Sequence, residues 1–218
     1  MQHYDLLIVT PGSDMVANYV ISLTETLAEC HKRGISYKFL NAKGSLVHNT
    51  RESALTGSMN LNPNDKGPLN DTITYNKMFW IDSDIEWTVK DFFKLYDTDL
   101  DVVSGAYLLA DGVTTTVCGL DNAGSMSKRD IRKLKGLTKI QSLGFGFVCV
   151  KSGVFEKIPR PWFALLTQEI KNDRGEKLHI SLGEDISWCI KVLQTGFDIW
   201  FDPEVLVTHI KTNRVTWM

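Results

Sequence analysis

Two runs of consecutive apolar side chains limit the fold more than any other feature of the chain. They are "YDLLIVT" at 4–10 and "YNKMFWID" at 75–82. Side chains alternate across a strand, so a run with no polar alternation has to be covered on both faces. Helices supply that cover. "PG" at 11–12 breaks the first run, and Ser13 is placed to cap a helix. Val16, Val20, Leu23 and Leu27 follow at helical spacing, with Gly34 closing the helix. "ISYKFLN" is a second strand, and "HNTRESALTGSM" a short helix with Asn49 or Thr50 as its cap. This β-α-β-α-β order predicts an α/β fold, with a Rossmann-like, mostly parallel central sheet flanked by helices.

Beyond residue 82 the pattern is more mixed. Thr88 caps a helix with Val89, Phe92, Phe93 and Tyr96 on its apolar face, and "DVVSGAYLL" and "FGFVCV" are strands. "SGVFEKI" is one helical turn, and Arg174-Gly175 joins a strand or loop pair. In "SLGEDISWCIKVLQTG", Ile186, Cys189, Ile190 and Leu193 share a helix face ended by Gly196. "FDIWFDPEVLVTHIK" makes two short strands around Asp202-Pro203. The segment "NLNPNDKGPLND" at 60–71 has loop composition and is the expected mobile loop. No linker divides the chain, which predicts a single domain over 1–218. Residues 1–108 form a nucleotide-binding half, and 109–218 a smaller, mixed acceptor and catalytic half.

Composition narrows the partners. With a net charge of −2 over 218 residues, no global basic field calls for nucleic acid or an acidic membrane surface. No stretch reaches the ~18 apolar residues of a membrane span. Cys30, Cys118, Cys149 and Cys189 lie far apart with no C-x-x-C pair. That suits free thiols in a reducing, cytoplasmic compartment. The sequence leaves the oligomeric state open.

Ligands of open α/β sheets bind beyond the carboxyl ends of the strands. Thr10-Pro11-Gly12 ends the first strand, Arg51 follows the second, and Asp82-Ser83-Asp84 ends the third. On a regular strand Asp82 and Asp84 point the same way, and like charges repel unless something positive lies between them. The pair is either a solvated loop that caps the next helix or a site for a hard divalent cation such as Mg²⁺ or Mn²⁺, which keeps open positions for phosphate. Glu184 and Asp185 open a helix, and Ser181 stands at capping-box spacing from Glu184, which leaves Asp185 unused. Trp162 and Phe163 either stack on a sugar or pack in the core. The basic run Lys128, Arg129, Arg132, Lys133 and Lys135 is a solvated helix face or a lid over an anion.

"FWIDSDIEW" closely resembles the Asp-x-Asp motif of GT-A-fold glycosyltransferases that use nucleotide sugars. "LLIVTPG" is similar to their first strand and base-binding turn, and "SLVHNTRESAL" to their Arg-containing helix start. "LGFGFVCVKSGVFEKI", with Gly144, Phe145 and Gly146, resembles their acceptor-side strand. "SLGEDISWCIKVLQTGFDIWFDPEVLVTHI" resembles their Glu-Asp helix, strand pair and C-terminal His. The resemblance implies metal-dependent transfer of a sugar from a nucleotide diphosphate, most often a UDP-sugar, to a saccharide or other hydroxyl acceptor. It implies Asp84 and His209 around Mn²⁺ (or Mg²⁺), with Asp82 sharing the metal or holding ribose or sugar hydroxyls, and Asp185 as general base with Glu184 as its substitute. Thr10, Pro11, Gly12, Ser83 and Lys211 would lie along the donor, Arg51 would pair with its pyrophosphate, fix the Asp pair or sit on an exposed helix face, and Gly144–Gly146 and Trp162 would lie along the acceptor. Two other readings compete: a nucleotide-sugar-binding module without turnover, and a metal-dependent phosphatase of the haloacid-dehalogenase kind. The phosphatase places its Asp-x-Asp on the first strand, whereas here it ends the third.

Overall fold

The computed structural model describes residues 1–57, 67–120, 124–171 and 174–211. Most of the expected mobile loop, 60–66, lies outside them. The first half runs β1 (Gln2–Pro11), α1 (Ala17–Lys32), β2 (Tyr37–Ala42), α2 (Val47–Thr56), β3 (Ile73–Ile81), β4 (Ile85–Glu86), α3 (Val89–Tyr96) and β5 (Val102–Ala106). The second runs β6 (Thr114–Cys118), β7 (Ser125–Ser127), α4 (Lys128–Ile131), β8 (Thr138–Ile140), β9 (Phe147–Lys151) and α5 (Val154–Lys157). It ends with β10 (Thr167–Lys171), β11 (Lys177–Ser181), α6 (Glu184–Gln194), β12 (Ile199–Leu206) and β13 (Thr208–His209).

The fold is mixed α/β, around a seven-stranded sheet in the order β2-β1-β3-β9-β5-β12-β8. The β2-β1-β3 group is parallel, as the helix-linked apolar runs require. β9 then enters antiparallel between β3 and β5, with Phe147 opposite Ile81. An apolar run carries no mark of its direction, so this insertion is invisible in the sequence. It brings the Gly144–Gly146 turn to the carboxyl end of β3, where the Asp82 amide donates to the Gly146 carbonyl at 3.0 Å.

Alternation along the strands divides the core in two. Leu7, Val9, Met78 and Trp80 pack with α2, α5 and α6. Leu6, Ile8, Phe79 and Ile81 pack with α1 and α3. Burying one such side chain contributes about 1.5–3 kcal/mol, so a one-residue slip of β1 or β3 exchanges two complementary faces at once.

Several local expectations are corrected. α1 starts after Val16 without a side-chain cap, so Ser13 does not cap it. Its buried face is Tyr19, Ser22, Thr26 and Cys30, while Val20 is 44% exposed. The polar members are satisfied: Ser22 Oγ donates to the Trp87 carbonyl at 2.7 Å, and Trp87 Nε1 donates to Thr26 Oγ1 at 2.9 Å. α2 is preceded by Leu46, so neither Asn49 nor Thr50 caps it. α6 buries Ser187, Trp188, Cys189, Lys191 and Val192 and exposes Ile186. The Lys191 ammonium donates to the Pro161, Trp162 and Ala164 carbonyls, which rotates the helix away from its apolar stripe. The segment around Asp202-Pro203 is one bulged strand, β12, rather than two. Thr88 does cap α3, in a capping box with Asp91.

Candidate active site

The sheet order reverses at β1. One connection leaves it for β2 on one side, and the next crosses back to β3 on the other. Such a reversal opens a crevice at the carboxyl ends of the two strands. The turn after β1 and the turn after β3 meet there. Gly12 has φ 144°, and a Cβ on it would come within 2.7 Å of Ser83 Oγ. Glycine at this position is therefore what lets the two turns touch. Asn41 Nδ2, at the end of β2, donates to the Thr10 and Gly12 carbonyls at 2.8 and 3.0 Å and fixes the turn. Thr10 is fully buried against the Tyr19 hydroxyl. The crevice is a pocket of about 540 Å³, lined by Pro11, Val16, Asp82, Ser83, Asp84 and His209 among others.

The two aspartates are not held by one partner. The chain turns at Asp82, whose carbonyl accepts from the Ile85 amide at 3.1 Å, so the two side chains leave a turn and not one face of a strand. Arg51 Nη2 donates to Asp82 Oδ1 and Oδ2 at 2.9 and 3.3 Å. Its Nε donates to Glu184 Oε1 at 3.4 Å. Arg51 is only 3% exposed and lies 5.2 Å from the Phe145 ring centre. Burial works against its charge, but Asp82 and Glu184 outweigh that and hold its pKa above the ordinary value. Glu184 is thereby spent on Arg51. α6 begins at Glu184 after Gly183, with no side-chain cap, so the expected Ser181 capping box does not form.

Asp84 has a different set of partners. β13 pairs with β4, His209 opposite Ile85, and the Ile210 amide donates to the Asp84 carbonyl at 2.8 Å. This short ladder carries the C-terminal histidine to the turn. His209 Nε2 stands 3.0 Å from Asp84 Oδ2, and Lys211 Nζ stands 3.4 Å from the same oxygen. Burial would raise the Asp84 pKa, but His209 and Lys211 lower it below the ordinary value. His209 Nδ1 lies 3.2 Å from the Leu108 carbonyl, which can accept only, so Nδ1 carries the hydrogen. Nε2 faces a carboxylate oxygen at 3.0 Å, and a proton or a metal ion between the two atoms satisfies both.

That donor set fits a divalent cation with two protein ligands, one oxygen and one nitrogen, leaving positions for phosphate. Asp82, expected as a third ligand, faces Arg51 instead. Among the described residues no group of three or more His, Cys, Asp or Glu side chains gathers around one point.

Asp185 sits beside Glu184 at the start of α6. Burial and the neighbouring carboxylate raise its pKa, against the pull of the Ile186 amide, which donates at 2.8 Å, and of Arg51. Gly144 and Gly146 are required by packing: a Cβ on either would come within 2.7 Å of the Tyr107 side chain. The Tyr107 hydroxyl accepts from the Gly146 amide at 3.2 Å, and its ring packs edge-on against His209. Phe145 is 1% exposed, and Trp162 and Phe163 are 0% and 1% exposed. Trp162 Nε1 donates to the Phe155 carbonyl at 2.8 Å. None of these rings offers a face to a sugar, and their place is the core.

Sequence reasoning missed Tyr107, Asn41 and Tyr19. Each supports the rim through a hydroxyl or amide, and such residues leave no periodic signal.

No protein-family model matches the sequence, and no curated protein matches it. Solved structures do. A197 from STIV superposes with a TM-score of 0.53 at 20% identity, covering 100% of this chain and 98% of that one. The catalytic domain of Drosophila beta1,4-galactosyltransferase 7, in complex with xylobiose, superposes with a TM-score of 0.50 at 9% identity, covering 97% of this chain and 72% of that one. GalNAc-T7 with UDP, GalNAc and Mn²⁺ gives 0.49 at 13% identity, covering 95% of this chain and 44% of that one. At these identities the likeness is one of fold alone, shared with A197 and with the galactosyltransferase catalytic domain.

Proposed function

We propose that the chain is a metal-dependent glycosyltransferase that moves a sugar from a nucleotide diphosphate, a UDP-sugar, to a hydroxyl of a saccharide or other acceptor. The observation that carries this reading is the Asp84–His209 pair, whose oxygen and nitrogen stand 3.0 Å apart at the mouth of the crevice. Cleavage of the donor leaves charge on a diphosphate. Asp84 and His209 would hold a divalent cation, Mn²⁺ for the tolerance of imidazole, which would supply positive charge to the leaving diphosphate.

The chain's own residues supply the rest. Pro11, Gly12 and Val16 wall the base and ribose. Asp82, held by Arg51, accepts hydrogen bonds from ribose or sugar hydroxyls. Lys211 is exposed and lies beside Asp84, within reach of phosphate oxygens. Asp185 takes the proton of the acceptor hydroxyl as its oxygen bonds to the anomeric carbon. The bond from that carbon to the diphosphate breaks on the opposite side, and the configuration inverts. A carboxyl raised by burial is a better base near neutrality than an ordinary one.

Calorimetry with UDP, with and without Mn²⁺, and donor-hydrolysis assays test the reading. UDP binds tightly only with Mn²⁺, and Asp84→Asn weakens that binding by about 100-fold or more. UDP binding without turnover on any donor leaves a binding module instead. A product that retains the donor's configuration refutes Asp185 as the base of a single displacement. Mn²⁺-independent UDP binding, or none, refutes the site.

A further inference from the structure

The basic run of the second half has a structural setting of its own. Lys128, Arg129, Arg132, Lys133 and Lys135 are all exposed. Asp130 is the one carboxylate among them, in a chain whose net charge is −2. Asp130 is occupied locally: it completes the capping box of α4 with Ser127 and pairs with Lys133 at 2.8 Å.

Apolar surface adjoins these cations. The Lys128 amide donates to the Val113 carbonyl at 2.8 Å, which fixes the 108–114 turn against α4. Asp111 Oδ1 accepts from the Val113 and Thr114 amides, both at 2.9 Å, so the turn is internally braced. It presents Leu109 at 42% and Val113 at 57% exposure. Beside it, a pocket of about 210 Å³ is floored by Leu108, Ile131, Leu206 and Val207, and Lys128 and Arg132 line it as well. Leu206 is itself 53% exposed.

We propose that this surface docks on an anionic lipid bilayer. Cations beside protruding aliphatic side chains and an apolar recess match a bilayer's two outer layers, charged headgroups over hydrocarbon. A soluble polyanion would engage the cations but gain nothing from Leu109, Val113, Leu206 and the recess. The Leu108 carbonyl of this turn also holds His209 at 3.2 Å, so a docked chain keeps its crevice next to the lipid surface. The inference needs neither metal nor donor and stands apart from the transfer reaction.

Co-sedimentation with phosphatidylserine–phosphatidylcholine vesicles tests it, with phosphatidylcholine vesicles as control. The wild-type chain sediments with the mixed vesicles, and added salt releases it. Lys128→Ala with Arg132→Ala weakens partitioning about 30-fold, each cation near an anionic surface counting for a factor of about five. Val113→Ser weakens it about fivefold. Lys128→Arg with Arg132→Lys keeps the charge and keeps the binding, which separates lost attraction from a damaged fold. No sedimentation, equal sedimentation with phosphatidylcholine alone, or unchanged partitioning of the double alanine variant each overturns the proposal. So does capture by a nucleic-acid oligomer in the absence of vesicle binding.

Discussion

Replacing Arg51 by Met keeps an unbranched side chain of similar reach and removes the charge. The guanidinium is 3% exposed and its two carboxylate partners are 26% and 15% exposed at the side chain. Breaking a fully buried pair by removing one partner costs about 3–5 kcal/mol, because a charge is left uncompensated. Partial exposure of Asp82 lowers that figure. So does Arg51 Nη1, which makes no hydrogen bond in its buried position and whose removal recovers part of a desolvation cost of about 1–3 kcal/mol. Loss of the cation–π contact with Phe145 adds back about 1 kcal/mol. The net is a loss of about 3 kcal/mol, which for a domain of this size lowers Tm by about 6–12 °C. Thermal and urea denaturation measure it. Arg51→Met with Asp82→Asn recovers about half of the loss, since one orphaned carboxylate is gone. A single variant as stable as wild type, or a double variant no better than the single, refutes the compensating role of Arg51.

Asp185→Asn lowers kcat by about 10²–10⁴ and leaves UDP affinity within a few-fold, read by steady-state kinetics and calorimetry. Because burial and Glu184 raise the Asp185 pKa, the wild-type enzyme loses activity as pH falls through a value above that of an ordinary aspartate; an acid limb at the ordinary value or below contradicts the assignment. Gly146→Ala places a Cβ 2.7 Å from three atoms of the Tyr107 ring and hydroxyl. Overpacking of this kind costs about 1–3 kcal/mol and moves the ring that packs on His209, so Mn²⁺-dependent binding weakens together with Tm. A Tyr107→Phe background relieves only part of this, since two of the three contacts are to ring carbons.

Patterns carried by neighbouring residues were legible in the sequence, and patterns carried by distant partners were not. The parallel β2-β1-β3 group follows from apolar runs that need cover on two faces. The cap of α3 follows from Thr88, to which the structure adds Asp91 three residues on as the second half of a capping box. Where a buried face is polar, periodicity misleads. α1 turns Ser22 and Thr26 inward because Trp87, more than 60 positions away, offers a carbonyl and an indole N–H. α6 turns Lys191 inward because three carbonyls of the 161–164 segment receive it.

The rim shows the same limit in electrostatic form. Read along the chain, Asp82 and Asp84 pose one problem of mutual repulsion, and a single shared ion is the shortest answer. Folding solves it twice, with separate partners: Arg51 from 31 residues before Asp82, and His209 from 125 residues after Asp84. The Ser181–Glu184 spacing pointed to a cap because nothing local showed that Arg51, 133 positions away, needs a second carboxylate. Arg51 thereby ties α2, the turn after β3 and the start of α6 into one charged unit. That unit pairs Asp82 and Glu184 internally, while Asp84 is met on the other side of the turn by His209 and Lys211. A cation supplied from outside would therefore meet Asp84 through His209 and Lys211, and not through Arg51.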